Sequence, residues 1–528
     1  MVALRHLRGG PPAWSTWSEA LRGTLIWALP VVVIGLIYFS PRHIISPSTL
    51  LTGVVGLGIV ILAARRPDLS LLGLIVIFPF QGLLLAKLWA WGLPAGVDSH
   101  LGAWKEALAL GVVLGGIRNL LATEDRLDRL DALALAFVAI VVLYTAFQTS
   151  IVPGAPSASN IRLLGFRETA AFVLLLFGAR HAPLGPRFAQ RAVGAVFAVG
   201  AAVAAVGVYE AIDSAAWNRF VVNTIKYTQY QAQVLHSHVP DPKDIRVYGD
   251  LGGTKFVRVG SVFISSLSCA WFLILPFAVG IERLIRRTAS SLVFLITVLI
   301  AAGLLLTQTR SAILGALIVT VLALVPAAGR PRHWRTQVAL VLSAVALLGI
   351  PAAFATGVAS RVESVGSQGN QTTQGHVAGF WGGLNTMGKH PLGLGLGTGA
   401  GTGQRFGVQN DQIPENNYLE IGDELGIVPG VIFLILTLAL LIKLRLLSRR
   451  SPYALLTICS TAGLGLAVAA WFLQTWDEFA VSWTYWGLAG AMIGIAARQA
   501  REGEPAAAQP PRTDRLAPAG EPLARASS

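Results

Sequence analysis

Apolar runs of about 17–22 residues recur along almost the whole chain, each long enough to cross the roughly 30 Å hydrocarbon core of a bilayer. They fall near 22–39, 48–64, 68–86, 104–121, 131–148, 165–180, 191–211, 260–281, 289–307, 311–327, 336–355, 425–443, 452–474 and 480–498. The runs are continuous rather than alternating, which selects helices and excludes a β-barrel. Only 13% of the 528 residues are charged, about half the share of a soluble domain. The predicted fold class is an all-α polytopic integral membrane protein. It has about 14 transmembrane helices and a long extracytoplasmic loop bearing short helices.

The net charge of +14 comes from Lys and Arg in short connectors. Arg5, Arg8 and Arg22 precede or open the first run; Arg65 and Arg66, Arg118 to Arg129, Arg180 to Arg191 and Arg283 to Arg287 follow. Arg330 to Arg335, Lys443 to Arg450, Arg498 and Arg501 complete the set. Fourteen spans alternate all of these onto one face, which the positive-inside rule assigns to the cytoplasm, with both termini. No basic stripe with interleaved aromatics occurs, so the charge does not indicate nucleic acid. Cys269 and Cys459 sit inside apolar runs as small hydrophobes. No signal-cleavage pattern follows the N-terminus, so the first span is expected to remain as an anchor.

The expected organisation is a cytoplasmic segment 1–21, a bundle 22–211, an extracytoplasmic loop 212–259, helices 260–355, a large loop 356–424, helices 425–498 and a disordered cytoplasmic tail 499–528. The polar interruption at 358–425 is the most informative stretch, because almost no other part of the chain offers polar chemistry. Loops of such length in compact proteins are functional or disordered, and this one carries aromatics, Asn and Gly.

On the face opposite the basic connectors stand Arg258, at the entry to the run 260–281, and Arg310, in the turn between two runs. One Arg at a span end is commonly a snorkelling or carboxylate-paired residue. Two such residues sharing a face with a carboxylate-bearing loop suit phosphate oxygens, which guanidinium forks bind bidentately. Glu415 precedes Asn416 and Tyr418 at the start of an expected helix 416–424. It is either a carboxylate favoured by the helix dipole or a general base for a sugar hydroxyl. The run GLGLGTGAGTG at 393–403 lacks the P-loop pattern and is expected to be a flexible, turn-rich loop. His390 reads as a turn residue before Pro391, without partners for a metal. Trp381 with Phe380 marks an interfacial helix at 376–388. Asp477 and Glu478 either pair with an Arg or face water.

Four segments in order resemble the O-antigen ligase and polymerase superfamily of membrane glycosyltransferases. They are Arg258–Phe263 (RVGSVF), Leu306–Leu314 (LTQTRSAIL), Gly379–Gly397 (GFWGGLNTMGKHPLGLGLG) and Glu415–Gly430 (ENNYLEIGDELGIVPG). The likeness covers roughly 258–440; the N-terminal half is similar in hydropathy only. It implies metal-independent, cofactor-free, C-type transfer of glycan from undecaprenyl diphosphate at the outer face of the bacterial cytoplasmic membrane. It also implies that Arg258 and Arg310 hold the diphosphate, that Glu415 is the base, and that Ser261, Trp381, His390, Asn416 and Tyr418 bind substrate or order the loop. Ligases of this kind commonly carry His where Glu415 stands, which favours a polymerase over a ligase. The expected partners are the lipid-linked glycan, membrane lipid and a chain-length regulator or flippase. Transport would place charge within the spans; these interiors are nearly free of it.

Overall fold

The computed structural model describes residues 47–503, except 96, 98–100, 124–126, 236–238, 240, 252–253, 287–289, 325–370, 400–401, 404–405, 408–413 and 452. The expected spans 22–39 and 336–355, the segment 1–21 and the tail beyond 503 therefore lie outside the described residues. The chain divides into two units, Met1–Gly58 and Ile59–Ser528. Of the first, only helical residues 47–58 are described; the second is the subject below.

Helix α1 covers Pro47–Arg65, α2 Pro67–Ile77, α3 Gln81–Ala90, α4 Trp104–Thr123, α5 Arg129–Ile151, α6 Ser159–Thr169, α7 Ala171–His181 and α8 Pro186–Ile212. Short helices α9 (Ser214–Arg219) and α10 (Tyr227–Gln233) and a hairpin of β1 (Val247–Leu251) and β2 (Thr254–Arg258) follow. Then come α11 (Ser266–Ile285), α12 (Ser291–Leu306), α13 (Arg310–Leu324), α14 (Gln371–Lys389) and α15 (Asn417–Leu425). The described chain closes with α16 (Ile427–Arg450), α17 (Ala454–Phe472) and α18 (Phe479–Gly503). Among the described residues eight helices are long and apolar enough to cross a membrane, counting Pro67–Ala90 as one, and four shorter apolar helices accompany them. The protein is a helical membrane protein.

Two expectations need correction. The run 165–180 is not one helix: it breaks at Ala170, the C-cap of α6 and N-cap of α7. The physical reason is composition, since α6 carries Arg162, Arg167 and Glu168 while α7 is apolar up to Arg180. Nor does Arg258 open a span. It ends β2, paired with Val247, and a 3-10 turn at Ser261–Phe263 intervenes before α11. The described part of the loop 212–259 is held by polar contacts. Asn218 donates to the Lys243 carbonyl at 3.0 Å and accepts from the Ile245 amide at 2.9 Å, and Lys87 donates to the Thr224 carbonyl.

Polar contacts gather the connectors into two ends. At one end Arg180 donates to Asp128 and Asp131, Lys443 donates to Asp128, and Arg498 donates to the Leu184 carbonyl at 2.8 Å. Burial opposes ionisation of Asp128, yet Arg180 and Lys443 hold its carboxyl well below the usual range. At the other end of α5, Tyr144 donates to the Leu392 carbonyl and Gln148 accepts from the Leu396 amide. The 23 residues of α5 separate these ends by about 34 Å at 1.5 Å per residue, the thickness of a membrane core.

Between them lies an aromatic core. Phe137 packs on Phe433 at 5.2 Å between centroids, Phe172 on Trp486 at 5.0 Å, and Trp476 on Tyr485 at 5.6 Å. Such pairs add about 0.5–1.5 kcal/mol each beyond their buried area, and Tyr418 of α15 rests directly on Phe433. Gly490 and Gly494 of α18 let α7 pack backbone to backbone, since a Cβ there would meet the carbonyls of Leu176 and Arg180.

Candidate active site

The expected arginines meet at one turn. Thr307–Thr309 links α12 to α13, with Gln308 held at φ +55°, a left-handed conformation that costs about 1–3 kcal/mol and concentrates at functional sites. The Thr307 hydroxyl donates to the Leu304 carbonyl at 2.6 Å and accepts from the Thr309 amide at 3.3 Å, fixing the turn. Arg258 Nε donates to the Thr307 carbonyl at 3.2 Å and Nη2 to Thr309 Oγ1 at 3.1 Å. Arg310 is the first residue of α13 and half-buried. The positive end of a helix thus coincides with two guanidiniums, an arrangement suited to an anion.

Glu415 is half-buried and rigidly flanked. The Pro414 carbonyl accepts from Gln474 Nε2 at 2.9 Å. Asn416 is the N-cap of α15: its Oδ1 accepts from the amides of Tyr418 (2.9 Å) and Leu419 (3.1 Å), and its Nδ2 donates to the Trp471 carbonyl. The Tyr418 hydroxyl donates to the Ala467 carbonyl at 3.2 Å. Asn416 and Tyr418 are therefore buried and anchor the helix that follows Glu415. Ser261 is fully buried, donating its hydroxyl to the Val203 carbonyl at 2.7 Å. His390 is exposed in the turn after α14, where its amide donates to the Thr386 carbonyl. Trp381 is 64% exposed on α14, in line with Val377 and Leu384, while Gly383 and Met387 on the other side meet α15. Expected at 376–388, this helix runs over Gln371–Lys389.

The glycine run is not a flexible loop; its amides are captured. Gly397 and Gly399 donate to one Glu424 oxygen at 3.1 and 2.7 Å, and Leu396 donates to Gln148 at 2.7 Å. Positive φ at Gly393, Gly395 and Gly397 turns these amides inward. The run is an anion-binding nest already occupied by the protein's own carboxyl group. Thr402 further along donates to Glu168.

Sequence reading singled out Asp477 only as an Arg partner or a water-facing residue, whereas it accepts from Asn417, and it gave no role to Glu168, Glu420 or Glu424. Glu168, Glu420, Glu424 and Asp477 line a small cavity with Thr169, Phe172, Ile421 and Trp476. No Lys or Arg is among these lining residues, so four ionised carboxylates would repel one another. Burial pushes Glu424 up to about 8, against the two glycine amides, and Glu168 and Asp477 add to it. Burial and Glu168 push Asp477 up to about 7, with Glu420 and Asn417 pulling it back by hydrogen bonds. Asp423, 5% exposed, is pushed to about 8 by burial, and neither of its oxygens has a partner among the described residues. The sequence signal was the density of acids in 415–424 together with Asp477 and Glu478, but their pairing is long-range.

The turn 475–478 joins the two halves. Asn417 Nδ2 donates to Asp477 Oδ1 at 2.8 Å and its Oδ1 accepts from the Trp476 amide at 2.7 Å. Burial pushes the Glu478 carboxyl up, and nearby Ser268, close to the start of α11, draws it back; the Ser266 carbonyl accepts from Thr309 Oγ1 at 3.3 Å. A continuous path of contacts therefore runs from the helix after Glu415, through α18's entry turn, to the arginine turn. All of it lies at the end remote from Arg180.

Residues 295–435 match the family model Wzy_C, described as O-antigen ligase. The match takes in Arg310, the glycine run and Glu415, and stops short of Arg258 and the turn at 475–478. No curated protein matches the chain.

Proposed function

We propose that the chain, whose residues 295–435 match the O-antigen ligase family model, belongs to the O-antigen ligase/polymerase superfamily and is a membrane polysaccharide polymerase. It transfers glycan from an undecaprenyl-diphosphate donor to a sugar hydroxyl of a lipid-linked acceptor, at the outer face of the cytoplasmic membrane. The observation that carries the reading is the joining of Arg258, Thr309 and Arg310 in one turn at the same end as Glu415.

In this reaction the acceptor hydroxyl oxygen attacks the anomeric carbon of the donor sugar. The bond from that carbon to the phosphate oxygen breaks, and its electron pair leaves with the diphosphate. Arg258, Arg310 and the first turn of α13 neutralise the charge that develops there; one such contact is typically worth about 10²–10³ in rate. Glu415 takes the hydroxyl proton. Asn416 and Tyr418 order the loop rather than touch sugar, consistent with their burial. The lipid tail of the donor reaches the site from the bilayer, beside the exposed apolar face of α14.

Purified protein with a synthetic undecaprenyl-diphosphate oligosaccharide tests this. A ladder of products at multiples of the repeat is expected, reduced at least a hundredfold by Arg310→Ala and by Glu415→Gln. Single additions to a lipid or protein acceptor, without a ladder, would make the protein a ligase, as the matching family's description reads. Full product from all the variants would remove the site.

A further inference from the structure

Glu210 is a carboxylate near the end of an otherwise apolar helix, α8, and only 4% exposed. Among the described residues no guanidinium or ammonium group pairs with it; one oxygen, Oε2, accepts from the backbone amides of Gly260 at 3.1 Å and Ser261 at 2.6 Å. These two residues follow Arg258 directly once Val259 is passed. The segment they form is unusual along its length. Ser261 and Ile264 both stand at positive φ, +51° and +60°. A Cβ at Gly260 would lie 2.6 Å from the Ile264 carbonyl carbon. Such a backbone persists only where surrounding contacts over-determine it.

Those contacts come from α8 and α12. The Ser261 hydroxyl donates to the Val203 carbonyl at 2.7 Å, one face of α8 below Glu210. Gly207 of α8 leaves room for Val259 and Ser261, and the Val259 amide donates to the Leu306 carbonyl at 3.3 Å. The chain is thus clamped on both sides of one peptide stretch. Arg258 projects from it to Thr307 and Thr309. Removal of the carboxylate would leave two adjacent buried amides unpaired in a strained turn, and the turn would relax.

We propose that Glu210 is the positioning residue for Arg258: by holding the amides of Gly260 and Ser261 it fixes the strained turn that aims the guanidinium at the donor diphosphate. The inference rests on the proposed role of the arginines in that transfer. Because Glu210 acts through backbone and not through its charge on substrate, an amide oxygen at the same place serves as well.

A double-mutant cycle on the full-length protein in detergent tests it, read as kcat/KM for the lipid-diphosphate oligosaccharide. Glu210→Ala is expected to lower kcat/KM at least tenfold, and Glu210→Gln to stay within about threefold of the parent. In an Arg258→Ala background, Glu210→Ala is expected to change the value less than twofold, since interactions acting through one residue are not additive. Where Glu210→Ala fails to fold, Glu210→Asp, whose carboxylate falls one methylene short of the amides, takes its place. Additive losses in the double variant, or full activity of Glu210→Ala beside an impaired Arg258→Ala, would overturn the inference alone. Full activity of Arg258→Ala would overturn it together with the reading on which it rests.

Discussion

At the scale of single residues, the carboxyl groups around α15 make the strongest physical statement. Asp423 and Glu424 are pushed up to about 8 and Asp477 to about 7, against unfolded values near 4. Between these limits the folded protein keeps protons that the unfolded chain releases. Their stabilising contribution is therefore complete below about pH 4 and is lost as pH rises through 7 to 8. The thermal midpoint in detergent is expected to fall between pH 5 and pH 8. Asp423→Asn should make that slope shallower, each such group being worth up to about tenfold in the folding equilibrium per pH unit; an unchanged slope would refute the assignment. Arg258, Arg310 and Glu415 stand out in the sequence because a charge near the edge of an apolar run is conspicuous, though Arg258 proved to end β2. Asn417 was not: its partners lie at Trp476 and Asp477, and no local spacing reveals a contact across 60 residues. Asn416, beside it, was singled out for its place next to Glu415, and turned out to cap the helix.

At the scale of elements, the loop 393–403 behaves as a part of α15. Glu424 holds the amides of Gly397 and Gly399, and the Asp423 and Glu424 carbonyls accept from Leu394 and Gly395. Glu424→Ala leaves the buried Gly397 amide and the part-buried Gly399 amide unpaired, at about 1–3 kcal/mol for the buried one. Amide exchange at 395–399 is then expected to quicken at least tenfold, with exchange along Phe479–Gly503 unchanged. Protection equal to that of the parent would show that the carboxyl does not hold the loop. The glycine composition alone suggested mobility, because alternating left-handed glycines and a flexible linker look alike until the acceptor is known. Helix existence was far easier to read: apolar length is a local property. The break at Ala170 escaped because α6, though amphipathic, is short and merges with the apolar α7 in any window of about 19 residues.

Across the whole molecule, the two ends do different work. Arg180, bonded to Asp128 and Asp131, ties α5 to α7 at the end remote from the arginine turn. Arg180→Ala takes the guanidinium from Asp131, 2% exposed, and leaves it His181 and the Asp128 amide, so the loss stays below the roughly 3–5 kcal/mol of a fully uncompensated buried charge. The thermal midpoint should drop by several degrees while turnover per folded molecule stays within twofold; a selective loss of turnover instead would couple the two ends. The basic character of this end was plain from the connectors, whereas the pairing of Asp128 and Asp131 with Arg180 and Lys443 was not. The contacts of Asn417 with Trp476 and Asp477 also carry a consequence for synthesis. A ribosome that has delivered both arginines and Glu415 to the membrane has still to make the turn that braces α15 against α11. The brace of α15 is thus the last part to be laid, so a nascent chain cannot finish anchoring the helix that follows Glu415 until residues 475–478 have been made.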